Sequence, residues 1–102
     1  MMKGFGDMLK QAQKMKRDFD TLQEKLVDDR YEAVAGSGMV RAVVDGKQAL
    51  KELKLDPALL EEKDVTLIED LVLTAIGEAQ RASEAKMNEA LKKLTGGLPL
   101  PF

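Results

Sequence analysis

Lys3, Lys10 and Arg17 stand seven residues apart, with Lys14 between the last two. On a helix a step of seven returns to nearly the same side, so these cations form one row with Lys14 beside it. Regularly spaced cations suit regularly spaced anions, and each phosphate they neutralise releases condensed counterions. The same pattern also fits an ordinary solvated helix face. A second basic group, Arg81, Lys86, Lys92 and Lys93, lies toward the other end. Glu84 and Glu89 are interleaved with it at helical ion-pair spacing. Lys92 and Lys93 also suit a helix C-terminus, where cations meet the dipole. That group is open to two readings, phosphate contact or self-neutralised surface.

Other chemistry is scarce. The chain has no Cys and no His, which removes thiol nucleophiles, common zinc sites and imidazole acid–base catalysis. The acid pairs Asp28-Asp29, Glu61-Glu62 and Glu69-Asp70 are adjacent residues, which point apart on a helix. Gly36-Ser37-Gly38 lacks the Lys-Ser/Thr ending of a phosphate-cradling loop. No catalytic residue, metal ligand, cofactor or small-molecule substrate is expected. Four aromatic residues are too few for a base-stacking sheet. No apolar run reaches the roughly 18 residues of a membrane span, and the N-terminus lacks a signal-peptide core. The expectation is a soluble, cytoplasmic protein.

The elements that would position the cations are set by periodicity. Phe5, Met8, Ala12, Met15, Phe19, Leu22 and Leu26 repeat in steps of three and four, a heptad seam. It predicts a helix over 5–27 that needs a second helix, in this chain or in another copy. Lys3, Lys10 and Arg17 then fall opposite the seam. Asp28-Asp29 is the exit turn. Three strands are expected over 30–35, 39–44 and 47–55, joined by Gly36-Ser37-Gly38 and by Asp45-Gly46 as a two-residue type I′ turn. Asp56-Pro57 opens a short helical turn over 58–62. Asp64 caps a long helix over 65–94, closed by Gly96-Gly97. Its stripe reads Ile68, Val72, Ala75 or Ile76, Ala79, Ala82, Met87, Leu91 and Leu94. The stretch 67–76 is apolar nearly all round, which predicts burial against the sheet. Residues 97–102 read as a mobile tail. The fold class is α+β, in one domain spanning 1–102.

Charge is divided along the chain. The net value is −2. Residues 1–17 carry +4, residues 18–78 carry −8 and residues 79–102 carry +2. Basic ends flank an acidic middle.

The order of parts resembles the YbaB/EbfC family of nucleoid-associated proteins. The heptad helix, Gly36-Ser37-Gly38-Met39-Val40-Arg41, Leu53-Lys54-Leu55-Asp56-Pro57-Ala58-Leu59-Leu60, Ile68-Glu69-Asp70-Leu71-Val72 and the Gly-Gly…Leu-Pro-Phe ending carry the resemblance. It covers essentially the whole chain. It implies a tweezers-like homodimer whose sheets associate and whose long helices project as paired arms. It also implies non-enzymatic binding of double-stranded DNA in the nucleoid. The expected DNA-binding residues are Lys3, Lys10, Lys14, Arg17, Arg81, Lys86, Lys92 and Lys93. A protein-interaction adaptor that docks a partner helix on the seam is the alternative.

Overall fold

The structure is a computed structural model that describes residues 2–94 and Gly96. The elements run α1 (Met2–Asp28), β1 (Tyr31–Ala35), β2 (Val40–Val44), β3 (Leu50–Leu55), α2 (Pro57–Glu61) and α3 (Val65–Leu94). The α+β class and the element order are as expected. The tail over 97–102 lies outside the described residues.

Helix α1 begins at Met2, three residues before the predicted start. Gly4 and Gly6 sit inside it and require no special backbone, since a Cβ at either would meet nothing within 4 Å. Extending an existing helix gains a bond for each residue fixed, which carries α1 through both. Its C-terminus carries the unfavourable Asp28-Asp29 pair, and Arg30 offsets this. The Arg30 Nη1 donates to the carbonyls of Val27 and Asp29, both at 2.8 Å, placing a cation where the helix dipole favours one.

The sheet is antiparallel in the order β1-β2-β3. Tyr31, Ala33 and Ala35 pair with Val44, Ala42 and Val40, so these six share the face that forms the core. Gly36, Ser37 and Gly38 all take left-handed φ, at 60°, 57° and 89°. Gly36 must also lack a side chain, because a Cβ there would lie 2.8 Å from Leu71 Cδ1.

The Asp45-Gly46 pair is not a type I′ turn. Val44 pairs with Leu50, so a five-residue connection spans 45–49, and positive φ falls on Gln48 rather than Gly46. The cause is the buried Asp45 side chain. Its Oδ1 accepts from the amides of Lys47 at 2.8 Å and Ala49 at 3.0 Å, building a wider loop around itself. Gly46 is needed for a close approach: its amide donates to Leu26 O at 2.7 Å, and a Cβ would meet the same oxygen at 2.7 Å.

Strand β3 therefore starts at Leu50 rather than Lys47. The pairings Val43↔Glu52 and Val44↔Leu50 leave Lys51 as the extra residue of a bulge. Without the bulge, alternation would aim Lys51 at the core face; with it, Leu50 stands opposite Val44.

Helix α3 lies across β1 and β2. Ala75, Ala79 and Ser83 are fully buried on it, and their small side chains bring it close to the sheet. Leu59 of α2 completes the core. The caps are as predicted: Asp56 Oδ1 accepts from Ala58 N at 2.9 Å and Asp64 Oδ1 from Leu67 N at 3.0 Å. Two expectations fail. The stripe passes through Ser83, not Ala82, which is exposed. The stretch 67–76 is buried on one side only, because the sheet meets one side of the helix; Leu67 and Leu73 are exposed. The molecule is elongated, with extents of 73 × 22 × 16 Å.

Candidate nucleic-acid interface

Helices α1 and α3 lie side by side and run in opposite directions. At the sheet end, Leu26 O meets Gly46 and Ser83 Oγ meets Asp45 O. At the other end, Leu94 shares a groove with Asp18 and Thr21. The seam residues Phe19, Leu22 and Leu26 face Met87 and Leu91 of α3. This part of the seam is thus satisfied within the chain. Beyond Asp18, residues 2–17 of α1 continue past the end of α3 for about 24 Å at 1.5 Å per residue. There Phe5 is 65% and Met8 69% exposed.

The first cation group rides on this overhang. Lys10, Lys14 and Arg17 are exposed, and among the described residues they make no ion pair. Lys3 lies in the first turn of α1, and its side chain is outside the described set. The second group is differently placed. Lys86 and Lys93 share one carboxylate, Glu89, at 3.6 and 3.7 Å. Lys92 is exposed in the last turn of α3. Arg81 is exposed, and its guanidinium lies over Gly77, with Nη1 3.5 Å from where a Cβ would stand. The two groups are therefore not equivalent: Lys10, Lys14 and Arg17 are exposed and unpaired among the described residues, whereas Lys86 and Lys93 are partly neutralised by Glu89 of their own helix.

Lys25 is a cation that sequence reasoning passed over. It lines the α1–α3 groove together with Lys86, Lys93 and Glu89, joining the two basic helices at their contact. The signal for it is its heptad position, immediately before Leu26, where a charged side chain flanks the partner helix. Arg41, by contrast, is committed elsewhere. It grips Glu32 through two bonds, Nε–Oε1 at 2.7 Å and Nη2–Oε2 at 2.9 Å. The Arg41 hydrogen bonds hold the Glu32 carboxyl below its usual range. Among the described residues, no three carboxylates are grouped to hold a metal ion, and no helix is long and apolar enough to cross a membrane.

Fold and surface together define a small α+β protein with a projecting, cation-bearing helical arm. The chain belongs to the YbaB/EbfC DNA-binding family, whose model matches residues 2–98. It is 40% identical over 95 residues to a nucleoid-associated protein of Thermoanaerobacter sp. strain X514, covering 93% of this chain and 86% of that one. A nucleoid-associated protein of Gemmatimonas aurantiaca is 41% identical over 95 residues, covering 93% and 91%. The crystal structure of an uncharacterized Helicobacter pylori protein superposes with a TM-score of 0.67 at 28% identity, covering 76% of this chain and 90% of that one.

Proposed function

We propose that this protein binds double-stranded DNA as a homodimer, through the basic faces of α1 and α3, and carries out no chemistry on it. The observation that carries this reading is the row of Lys10, Lys14 and Arg17, exposed and unpaired among the described residues on a helix that projects past its neighbour. Such a row can follow a phosphate backbone without reading base edges. Lys3 extends it by sequence phase, Lys25 adds a cation where α1 meets α3, and Arg81, Lys86, Lys92 and Lys93 add cations along α3. The acidic middle of the chain repels the backbone and confines contact to the arms. The absence of His and Cys from the sequence supports a binding rather than a catalytic role. A location in the bacterial cytoplasm, at the nucleoid, accords with the names of the relatives.

The homodimer is supported by β3. Leu53 and Leu55 pair with Ala42 and Val40 and so lie on the core face. Yet α3 covers β1 and β2, and these two leucines remain 41% and 38% exposed. A second copy of the chain would cover that face.

The test is a duplex gel-shift titration at two salt concentrations, with Lys10→Glu/Arg17→Glu beside the wild type. Weaker binding and a shallower salt dependence are expected, since fewer phosphates are neutralised. Unchanged binding would rule out the arm. Docking of a foreign helix, the other function open at the sequence level, keeps only the seam before Phe19, because the rest already faces α3.

A further inference from the structure

Ahead of Phe19 the seam has no cover among the described residues. Phe5, Met8, Leu9 and Met15 are 65%, 69%, 50% and 46% exposed, and Ala12 is exposed between them. This stretch is continuous with the part that faces Met87 and Leu91. It begins where α3 stops: Leu94 stands level with Asp18 and Thr21, and Gly96 takes a left-handed φ of 65°, the conformation that ends a helix. Continuing the contact needs a further helix, antiparallel to α1 as α3 is, reaching from Asp18 to the tip.

The overhang itself has that length. A second copy turned end for end about Lys10 sets its Met15 against Phe5 and its Ala12 against Met8. Its α1 starts at Met2, which then stands opposite Asp18 of the first copy. It takes up the seam where α3 leaves it, without overlap. Side-chain sizes fit this register, since the long Met8 meets the small Ala12 in two of the four layers. Parallel pairing would set Ala12 against Ala12 and leave that layer unfilled.

Charge allows the same arrangement. Lys3, Lys10 and Arg17 lie behind the seam by heptad phase. In a pair of helices 8–10 Å apart the two rows stand about 20 Å from each other, well beyond the ~8 Å over which salt screens them. Beside the seam, Leu9 meets Leu9 and Gln11 meets Gln11. The first turn of α1 carries no acidic residue, and Asp18 of the second copy would bring one to it, where the helix dipole favours an anion.

We propose that the arms of two molecules pair tip to tip, antiparallel, through Phe5, Met8, Leu9, Ala12 and Met15. The contact is smaller than the 20–30 residues a side of a standard stable interface. It is therefore weak for one pair and gains strength when many copies lie along one DNA. Together with the β3 contact it gives each chain two different two-fold interfaces, which link dimers into an open array. The array rests on the homodimer proposed above; the tip contact does not.

The chain has no Cys, so single thiols report the register. Near millimolar concentration under mild oxidation, Phe5→Cys chains mixed with differently tagged Met15→Cys chains should give mainly the mixed disulfide. Phe5→Cys alone and Lys10→Cys alone should each cross-link several-fold less. Dominant Phe5–Phe5 product would mean parallel arms and overturn the proposal. No product would overturn it too, leaving the seam to a helix of another protein. The same mixture in a Leu53→Arg background should still give the mixed disulfide, and its loss there would overturn the tip contact as an independent interface. Sedimentation supplies a measurement without thiols. Toward millimolar concentration the wild type should grow past dimer mass while Met8→Asp, altered at an exposed position, stays at dimer mass. Equal masses for the two would overturn the tip contact. If Leu53→Arg instead matches the wild type, the β3 reading fails and the tip contact stands.

Discussion

The hydroxyl of Ser83 on α3 donates to the main-chain carbonyl of Asp45 at 2.8 Å, across 38 positions of sequence. Both residues are buried. The Asp45 carboxylate organises the β2–β3 connection through two amides, and the next residue, Gly46, donates to the last turn of α1. One short loop therefore ties together the sheet, α3 and the root of the arm.

Removing pieces of this junction should have graded costs. Ser83→Ala loses one hydrogen bond, about 1 kcal/mol, whereas Asp45→Ala leaves two amides without their acceptor and costs about 1–3 kcal/mol. Urea unfolding followed by circular dichroism checks the order. Equal losses would mean that the carboxylate does not hold the loop.

Glycines in and near α1 should respond with opposite signs. Gly46→Ala brings a Cβ to 2.7 Å from Leu26 O and 2.9 Å from Leu26 Cα. Backbone cannot yield as a side-chain tip can, so about 1–3 kcal/mol should be lost. Gly6→Ala meets open space inside a helix and should gain about 0.5–1 kcal/mol of helix stability. Thermal melts of the two variants give the comparison.

Acid should loosen the same junction. Burial alone pushes the Asp45 carboxyl up, but the amides of Ala49 and Lys47 and the charges of Lys51 and Arg30 outweigh it, and the folded value lies below the ordinary 3.8. The unfolded chain therefore takes up the proton first as pH falls. The stabilisation is complete above the unfolded value and is lost as pH drops through it toward the folded one. Melting temperature should decline below about pH 4, and less steeply in Asp45→Asn. Identical acid-side profiles would show that the decline comes from other groups.

Glu89 should act as a brake on DNA binding. It holds both Lys86 and Lys93. Glu89→Gln removes one negative charge and releases two cations, so duplex affinity should rise and its salt dependence should steepen. A titration in which Glu89→Gln binds like wild type would confine the interface to α1.

Leu53→Arg should separate the copies. It puts a charge on the uncovered core face of β3, where a dimer contact would have to bury it. Sedimentation at micromolar concentration should read monomer mass for the variant and dimer mass for the wild type. Dimer mass in both would move the contact away from β3.

The elements were legible where one local rule dominates. The seam marks α1, Asp56-Pro57 and Asp64 mark two helix starts, and Gly36-Ser37-Gly38 marks the first hairpin. The Asp45-Gly46 loop was not, because the same two letters serve a tight turn or a buried carboxylate beside a close approach, and the burial of Asp45 and the nearness of Leu26 to Gly46 come only with the tertiary packing. The bulge at Lys51 was hidden for a similar reason. Strand alternation is read along one chain, whereas register is set against a neighbour. Ser83 displaced Ala82 in the stripe because its hydroxyl finds the Asp45 carbonyl. Among the candidate cations, the phase of Lys10 and Arg17 was readable from period alone. The sharing of Glu89 was one of two open readings for Lys86 and Lys93, and the role of Lys25 needed the helix contact.

Among the described residues, helix α1 is fastened to the rest of the chain along Phe19 to Leu26. From Phe19 to Phe5 it rises about 21 Å at 1.5 Å per residue. Tilting by about 15° at the fastening would swing the tip by about 5 Å, close to the ~6 Å width of a minor groove. The arm is a lever, and small changes of packing at its fulcrum, where Phe19 and Leu22 face Met87 and Leu91, set where its tip stands.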